Sequence, residues 1–200
     1  MTAPPVDPIS LVVTDRERAR SASEPMTDLC VLATAGSADG APGVRPIVLR
    51  DVGPQGVGLL ISQSSPKWEP LASGRCELLL LWLTIRRQYR VRGAIAPMPE
   101  ELVDRYWSQK VLESRLLDLY YATYGAQSTA VGSRERFLEG IDALRQRYPT
   151  AEAVPRPELL RGVYLVADRI EAWRGSPDRL HDRRRFVREA NGWREETLVP

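Results

Sequence analysis

LCVLATA (Leu29–Ala35), SADG (Ser37–Gly40), VRPIVLRD (Val44–Asp51), GPQG (Gly53–Gly56) and VGLLISQ (Val57–Gln63) follow in close succession. Short apolar, β-branched runs separated by Gly, Pro and Asp read as antiparallel strands on tight turns. Working outward, Cys76–Leu83 and Gln88–Ile95 read as two more strands around a turn at Thr84–Arg87. Gly162–Trp173, Arg183–Arg188 and Gly192–Leu198 close the chain, the last two joined by an Asn191-Gly192 turn. Between and before these lie helical patterns. Residues 9–24 are polar and weakly periodic, with Pro25 as a stop. Ser64-Ser65-Pro66 opens a short helix through Ser73, since serine caps and proline suits a first turn. Pro99-Glu100-Glu101 starts a helical region to about Tyr121, and a Gly/Ser-containing loop follows. Ser133–Tyr148 carries Phe137, Leu138, Ile141 and Leu144 at helical spacing, before a Pro155-Arg156-Pro157 linker. The expectation is a mainly β chain with flanking helices (α+β), an antiparallel barrel with helices packed outside.

At 200 residues, this is one ordinary domain's worth of chain, and 43% apolar with 27% charged residues suits a globular protein. The longest apolar run, Leu78–Leu83, is far short of the roughly 20 residues that span a bilayer. Met1–Ser10 lacks the basic start and apolar core of a signal peptide, so a cytoplasmic location is expected, with no membrane partner. A net charge of +2 argues neither for nor against nucleic acid, and none is expected as a partner. One histidine, His181, and two cysteines, Cys30 and Cys76, are too few and too dispersed for a zinc site, so no metal is expected. Both cysteines sit in apolar stretches and read as buried thiols. Of 28 basic residues only Lys67 and Lys110 are lysines.

Three constellations can carry chemistry. In Arg45-Pro46-Ile47-Val48-Leu49-Arg50 the two arginines, five apart on a strand, point to opposite faces; solvated flanks and ligand contacts are both open readings. Ser62-Gln63-Ser64-Ser65-Pro66-Lys67 sets hydroxyls, backbone N–H groups and one cation at a helix start, an arrangement that suits phosphate as well as plain capping. Trp173 to Arg183 brings His181 between Arg179 and Arg183 beside Asp182. Neighbouring cations favour a neutral, hydrogen-bonding imidazole there, and a solvated charge cluster is the other reading.

Arg179-Leu180-His181-Asp182-Arg183, shortly after Trp173, resembles the C-terminal signature of the pyridoxamine 5′-phosphate oxidases. The resemblance runs from about Asp7-Pro8 to Pro200 through the Arg45–Arg50 strand, Ser65-Pro66-Lys67, Arg87-Gln88 and Gln127-Ser128. It implies a single Greek-key, FMN-binding split-barrel domain over 1–200, with a dimerisation and active-site segment at about 160–200. It also implies a homodimer with two FMN sites at the interface. By the same resemblance Arg45, Ser62 and Lys67 hold the FMN phosphate or ribityl chain, and Gln88 meets the isoalloxazine. Pro46, Ile47, Val48, Leu49 and Arg50 complete the flavin-binding strand, with Ile61 before Ser62. Gln127, Ser128, Trp173 and Arg183 reach FMN, in the family from the partner subunit. For a small phosphorylated pyridine substrate it implies Arg50, Tyr106, Lys110 and Ser114 as contacts, with Arg179 and His181 as catalytic residues. The implied reaction oxidises the 4′-amine or alcohol to pyridoxal 5′-phosphate, with oxygen as acceptor and hydrogen peroxide as product.

Four departures bear on the substrate. Six residues precede Asp7-Pro8, where relatives carry an arginine- and tyrosine-bearing lid, so the lid is expected to be missing. Pro66 stands for the family's arginine, and Arg50 and Lys110 exchange the usual lysine and arginine. Ser114–Gln127 is about four residues longer than in typical members. A related FMN oxidase acting on another substrate, such as a reduced phenazine-type heterocycle, and a non-catalytic flavin-binding protein are therefore the alternatives.

Overall fold

The computed structural model describes residues 6–36 and 41–200; the expected Ser37–Gly40 turn lies outside them. Asp7 starts α1 (Pro8–Ser21) by accepting the N–H groups of Ile9 and Ser10, both at 3.2 Å, while Pro8 occupies a first-turn position that needs no donor. The helix ends before the expected Pro25, because Ser23 adopts a left-handed conformation (φ 55°).

The described strands are β1 (Leu29–Thr34), β2 (Gly43–Val48), β3 (Asp51–Gly53), β4 (Gly56–Ser62), β5 (Cys76–Trp82), β6 (Arg87–Pro97), β7 (Leu160–Arg174), β8 (Asp182–Glu189) and β9 (Gly192–Thr197). They form one sheet in the order β2-β1-β5-β6-β7-β4-β3, with β8 paired to β7 and β9 to β8. β5 returns to pair with β1 rather than with its predecessor β4, the Greek-key type of connection. β1 and β5 alternate strictly, burying Cys30, Leu32 and Thr34 on one and Cys76, Leu78, Leu80 and Trp82 on the other. Burial pushes the Cys30 thiol up to about 12 and raises Cys76 as well, so neither is a ready nucleophile.

One expected strand is two. The Leu49 N–H donates to the Asp28 carbonyl and the Arg50 N–H to the Gly58 carbonyl, so the chain changes partners at that step. β2 therefore stops at Val48, and Arg45 and Arg50 do not share a strand. The turn after β3 is as expected, and Gly56 (φ 122°) lies where an added Cβ would meet the Leu165 carbonyl oxygen at 2.3 Å.

The chain divides into two compact units: Met1–Leu59 with Pro70–Ala96 and Tyr164–Pro200, and Leu60–Glu69 with Pro97–Val163. The second contains α3 (Glu100–Ser108), α4 (Leu112–Thr123) and α5 (Arg134–Arg147). Its core is Trp107, Leu116, Leu144, Val154 and Leu160. The single helical region expected to Tyr121 is broken at residues 109–111. Arg115, 5% exposed, accounts for the break: its guanidinium donates to the carbonyls of Ser108 (2.7 Å), Lys110 (3.0 Å) and Ala151, satisfying acceptors at the end of α3. The helix expected over Ser133–Tyr148 is α5, which Ser133 caps by accepting the Arg136 N–H at 3.2 Å, but Leu138 is exposed rather than on its inner face.

In the first unit Glu24 is nearly buried, and its carboxylate accepts from Met26 N (3.1 Å), Thr84 N (2.9 Å) and Thr84 Oγ1 (2.8 Å). The Thr84 N–H leads in holding its pKa below the ordinary value, against the upward push of burial. Since the native pKa is the lower one, this stabilisation is complete above the unfolded carboxyl's pKa and is lost as pH falls through the native value. Glu24→Gln should cost about 2 kcal/mol at pH 7 and much less at pH 3. Urea melts at both pH values check this; an equal loss at both would refute the charge argument.

Candidate functional site

Within the first unit, Trp173 on β7 and Arg183 on β8 stand directly opposite each other. The connection between these strands folds back so that His181 Nδ1 accepts the Ser176 N–H at 3.0 Å. The imidazole centroid lies 4.8 Å from that of Trp173, tilted 51°. An Nδ1 that accepts is unprotonated, so a neutral His181 presents its N–H from Nε2. Arg179 is exposed and holds φ 67°, a conformation L side chains seldom adopt, kept here by a turn in which its N–H donates to the Ser176 carbonyl at 3.2 Å. Asp178 stiffens the same turn: its carboxylate accepts from Ser176 Oγ and, at 3.0 Å, from Leu180 N, and these bonds, Ser176's first, lower its pKa.

Elsewhere in this unit Arg45 is half-buried on β2 and donates to Thr34 Oγ1 at 2.8 Å. Gln88 lies near the start of β6, opposite Leu81 of β5. Arg50 falls in the bend after β2, next to Leu49, which is 2% exposed and belongs to the core. Pro46 and Val48 face outward from β2, and Ile47 alternates with them.

The second unit holds the serine-rich segment. Residues 63–67 are successive turns, and the helix α2 (Trp68–Ala72) starts only after Lys67, which corrects the expected helix from Ser64. Local side-chain bonds compete with helix here: Ser62 Oγ lies 2.9 Å from Ser64 Oγ and accepts the Ser64 N–H. The Lys67 ammonium donates to Ser65 Oγ at 2.5 Å and to Gln127 Oε1 of its own chain. Two expected flavin contacts, 60 residues apart in sequence, thus meet within one protomer. Gln127 also hydrogen-bonds Tyr121, whose phenol is raised first by burial and then by the Asp118 carboxylate. Ile61 is buried; Ser128, at φ 69°, lines a cavity of about 740 Å³ with Tyr120, Tyr121, Tyr124 and Phe137.

The expected substrate-phosphate trio fares differently. Tyr106 on α3 and Ser114 on α4 are half-buried. Lys110, whose side chain is 9% exposed, is ion-paired to Asp118, with its ammonium 5.6 Å from the Trp107 ring centroid. Its charge is therefore already compensated within the chain. Arg183 is likewise engaged, by Glu171 and by the Val199 carbonyl. Asp118, Tyr121 and Glu171 escaped the sequence reading because each is a single polar residue in an otherwise ordinary helix or strand pattern. No spacing marks them.

A pyridoxine/pyridoxamine 5′-phosphate oxidase from Erythrobacter litoralis is 35% identical over 202 residues, spanning 98% of this chain and 92% of its own length. The chain belongs to the pyridoxine/pyridoxamine 5′-phosphate oxidase family. A second relative of that name, from Anaeromyxobacter dehalogenans, is 33% identical over 97% of this chain and 96% of itself. The family profile described as the pyridoxine 5′-phosphate oxidase C-terminal dimerisation region matches residues 161–200. Among solved structures, PhzG from Burkholderia lata, in complex with tetrahydrophenazine-1-carboxylic acid, superposes with a TM-score of 0.84 at 27% identity. The match covers 98% of this chain and 94% of that one. A pyridoxamine 5′-phosphate oxidase-related, FMN-binding protein from Nostoc punctiforme shares the fold (TM-score 0.69, 14% identity, 98% and 100% covered). The antiparallel, helix-flanked split-barrel fold of the pyridoxine/pyridoxamine 5′-phosphate oxidase family is thus the fold of this chain. Among its described residues no helix is long and apolar enough to cross a membrane.

Proposed function

We propose that this family member is an FMN-dependent oxidase, working as a homodimer, that converts pyridoxamine or pyridoxine 5′-phosphate to pyridoxal 5′-phosphate with oxygen as acceptor. The observation that carries the reading is the Trp173–His181–Arg179 turn, set in the matched 161–200 segment. The donor set fits a phosphorylated flavin: one ammonium, clustered serine hydroxyls and the backbone of successive turns at residues 63–67. Bound FMN would supply two-electron oxidation of the substrate carbon, oxygen would be reduced to hydrogen peroxide, and water would release ammonia from the amine substrate. Lys67, Ser62 and Arg45 would hold its phosphate and ribityl chain, and Gln88, Gln127, Ser128, Trp173 and Arg183 would complete its contacts.

Arg179 and the His181 Nε2–H would orient the substrate ring, so that the 4′-carbon is presented in one geometry. Arg179→Ala should lower kcat/KM about 100-fold, and His181→Ala should raise KM roughly 10-fold with the holoprotein still yellow. Steady-state peroxide assays on flavin-loaded variants check both. Unchanged turnover in both variants would make this turn structural.

A second reading, a related FMN oxidase acting on an unphosphorylated reduced heterocycle, is favoured by the Lys110–Asp118 pair. It occupies the cation that the resemblance assigns to the substrate phosphate. The PhzG complex with a tetrahydrophenazine acid is in line with it. One aerobic experiment separates the two: FMN-loaded protein is given pyridoxamine 5′-phosphate or a dihydrophenazine carboxylic acid, and peroxide is followed. Peroxide from the B6 phosphate supports the first reading, peroxide from the phenazine alone the second. None from either, with FMN bound, leaves a flavin carrier.

A further inference from the structure

Glu171 lies on β7 two residues before Trp173, so the two side chains share a face of the sheet. Arg183 stands opposite Trp173 on β8 and is the diagonal neighbour of Glu171, within reach of a long side chain. The geometry is specific. Glu171 Oε1 accepts from Arg183 Nη2 at 2.8 Å and from Nε at 3.3 Å, while the Val199 carbonyl accepts from Nη1 at 2.8 Å. A guanidinium has five N–H donors, so after these three bonds two remain, among the described residues, for another partner.

The carboxylate is itself held. Glu171 Oε2 lies 3.5 Å from Arg90 Nη1, and Arg90 is bound bidentately by Glu77 (3.1 and 3.0 Å), which also accepts from Arg92 at 3.2 Å. A charge ladder thus runs across β5, β6, β7 and β8 and ends on Arg183. Glu171 is the more buried member of the terminal pair, with 14% of its side chain exposed against 28% for Arg183. A half-buried carboxylate fastened from behind and an arginine with two donors remaining form a pre-set anion or carbonyl contact. An arginine left to its own rotamers would lose that freedom on binding; one already fastened does not.

We propose that Glu171 is a positioning residue: it fixes the Arg183 guanidinium before the flavin arrives, so that the two remaining N–H groups meet the cofactor without reordering. This rests on the proposed function, in which Arg183 is a flavin contact.

The test is a double-mutant cycle on the apoprotein, titrated with FMN by quenching of flavin fluorescence and accompanied by thermal midpoints. Glu171→Gln, which keeps shape and removes charge, should raise the FMN Kd about 10-fold, and Arg183→Ala should raise it further. The double variant should bind no more weakly than Arg183→Ala alone, because Glu171 acts only through Arg183. Additive losses would mean that Glu171 serves the sheet rather than the site, and would overturn the proposal, as would an unchanged Kd in Glu171→Gln. Wild-type binding with an unaffected Arg183→Ala would overturn it while leaving the FMN reading intact. A wild type that binds no FMN would overturn both. If Glu171→Gln does not fold, Glu171→Asp, which keeps the charge but cannot span the distance, enters the same cycle with the same non-additivity expected.

Discussion

Gly93→Ala should destabilise the strand layer by about 3 kcal/mol or more, enough to lower the thermal midpoint by several degrees or to prevent folding. A Cβ at this position would lie 1.9 Å from the Val166 carbonyl oxygen, 2.7 Å from its carbon and 2.9 Å from Ala167 Cα. All three are backbone atoms of β7, so no side chain can swing aside; β6 and β7 would have to separate, and the sheet is continuous on both sides of that pair. Gly192→Ala is the control. Its φ of 136° strains any side chain, but nothing lies within 4 Å of the added carbon, so the loss should be about 1 kcal/mol. Urea denaturation of the three proteins measures the contrast. Equal stability of Gly93→Ala and wild type would show that the close approach of β6 to β7 is not what position 93 requires.

Lys67→Ala should weaken FMN by about 1.5–3 kcal/mol, roughly 10- to 150-fold, and leave riboflavin nearly unaffected. The ammonium is held between Ser65 Oγ and Gln127 Oε1, both acceptors, so its position is set before a ligand binds. A phosphate dianion brought to it gains a charged hydrogen bond that riboflavin, lacking phosphate, cannot make. Parallel titrations with FMN and riboflavin read it directly. Equal losses for both flavins would move Lys67 away from the phosphate and take the phosphate-site argument with it.

The local part of this molecule was legible in the sequence. Short apolar runs marked β1 and β5, the Gly53–Gly56 and Asn191-Gly192 turns marked two hairpins, and the helical spacing from Ser133 marked α5, because local propensity and turn dihedrals depend on residues adjacent in the chain. The family signature at Arg179–Arg183 was legible for the same reason: its residues are contiguous.

What tertiary structure alone decided are partnerships. The strand expected over Val44–Asp51 broke because the backbone donors of Leu49 and Arg50 turn to acceptors on different segments, Asp28 and Gly58. The helix expected to Tyr121 broke where Arg115 reaches carbonyls, one of them at Ala151. Lys67 met Gln127, Lys110 was neutralised by Asp118, and Arg183 was fastened by Glu171. Each is an electrostatic or hydrogen-bond choice made among whatever groups the folded chain brings within about 3 Å. Residue type tells that a lysine seeks an anion or a carbonyl oxygen, whereas only the packed chain determines which one lies close enough to hold it.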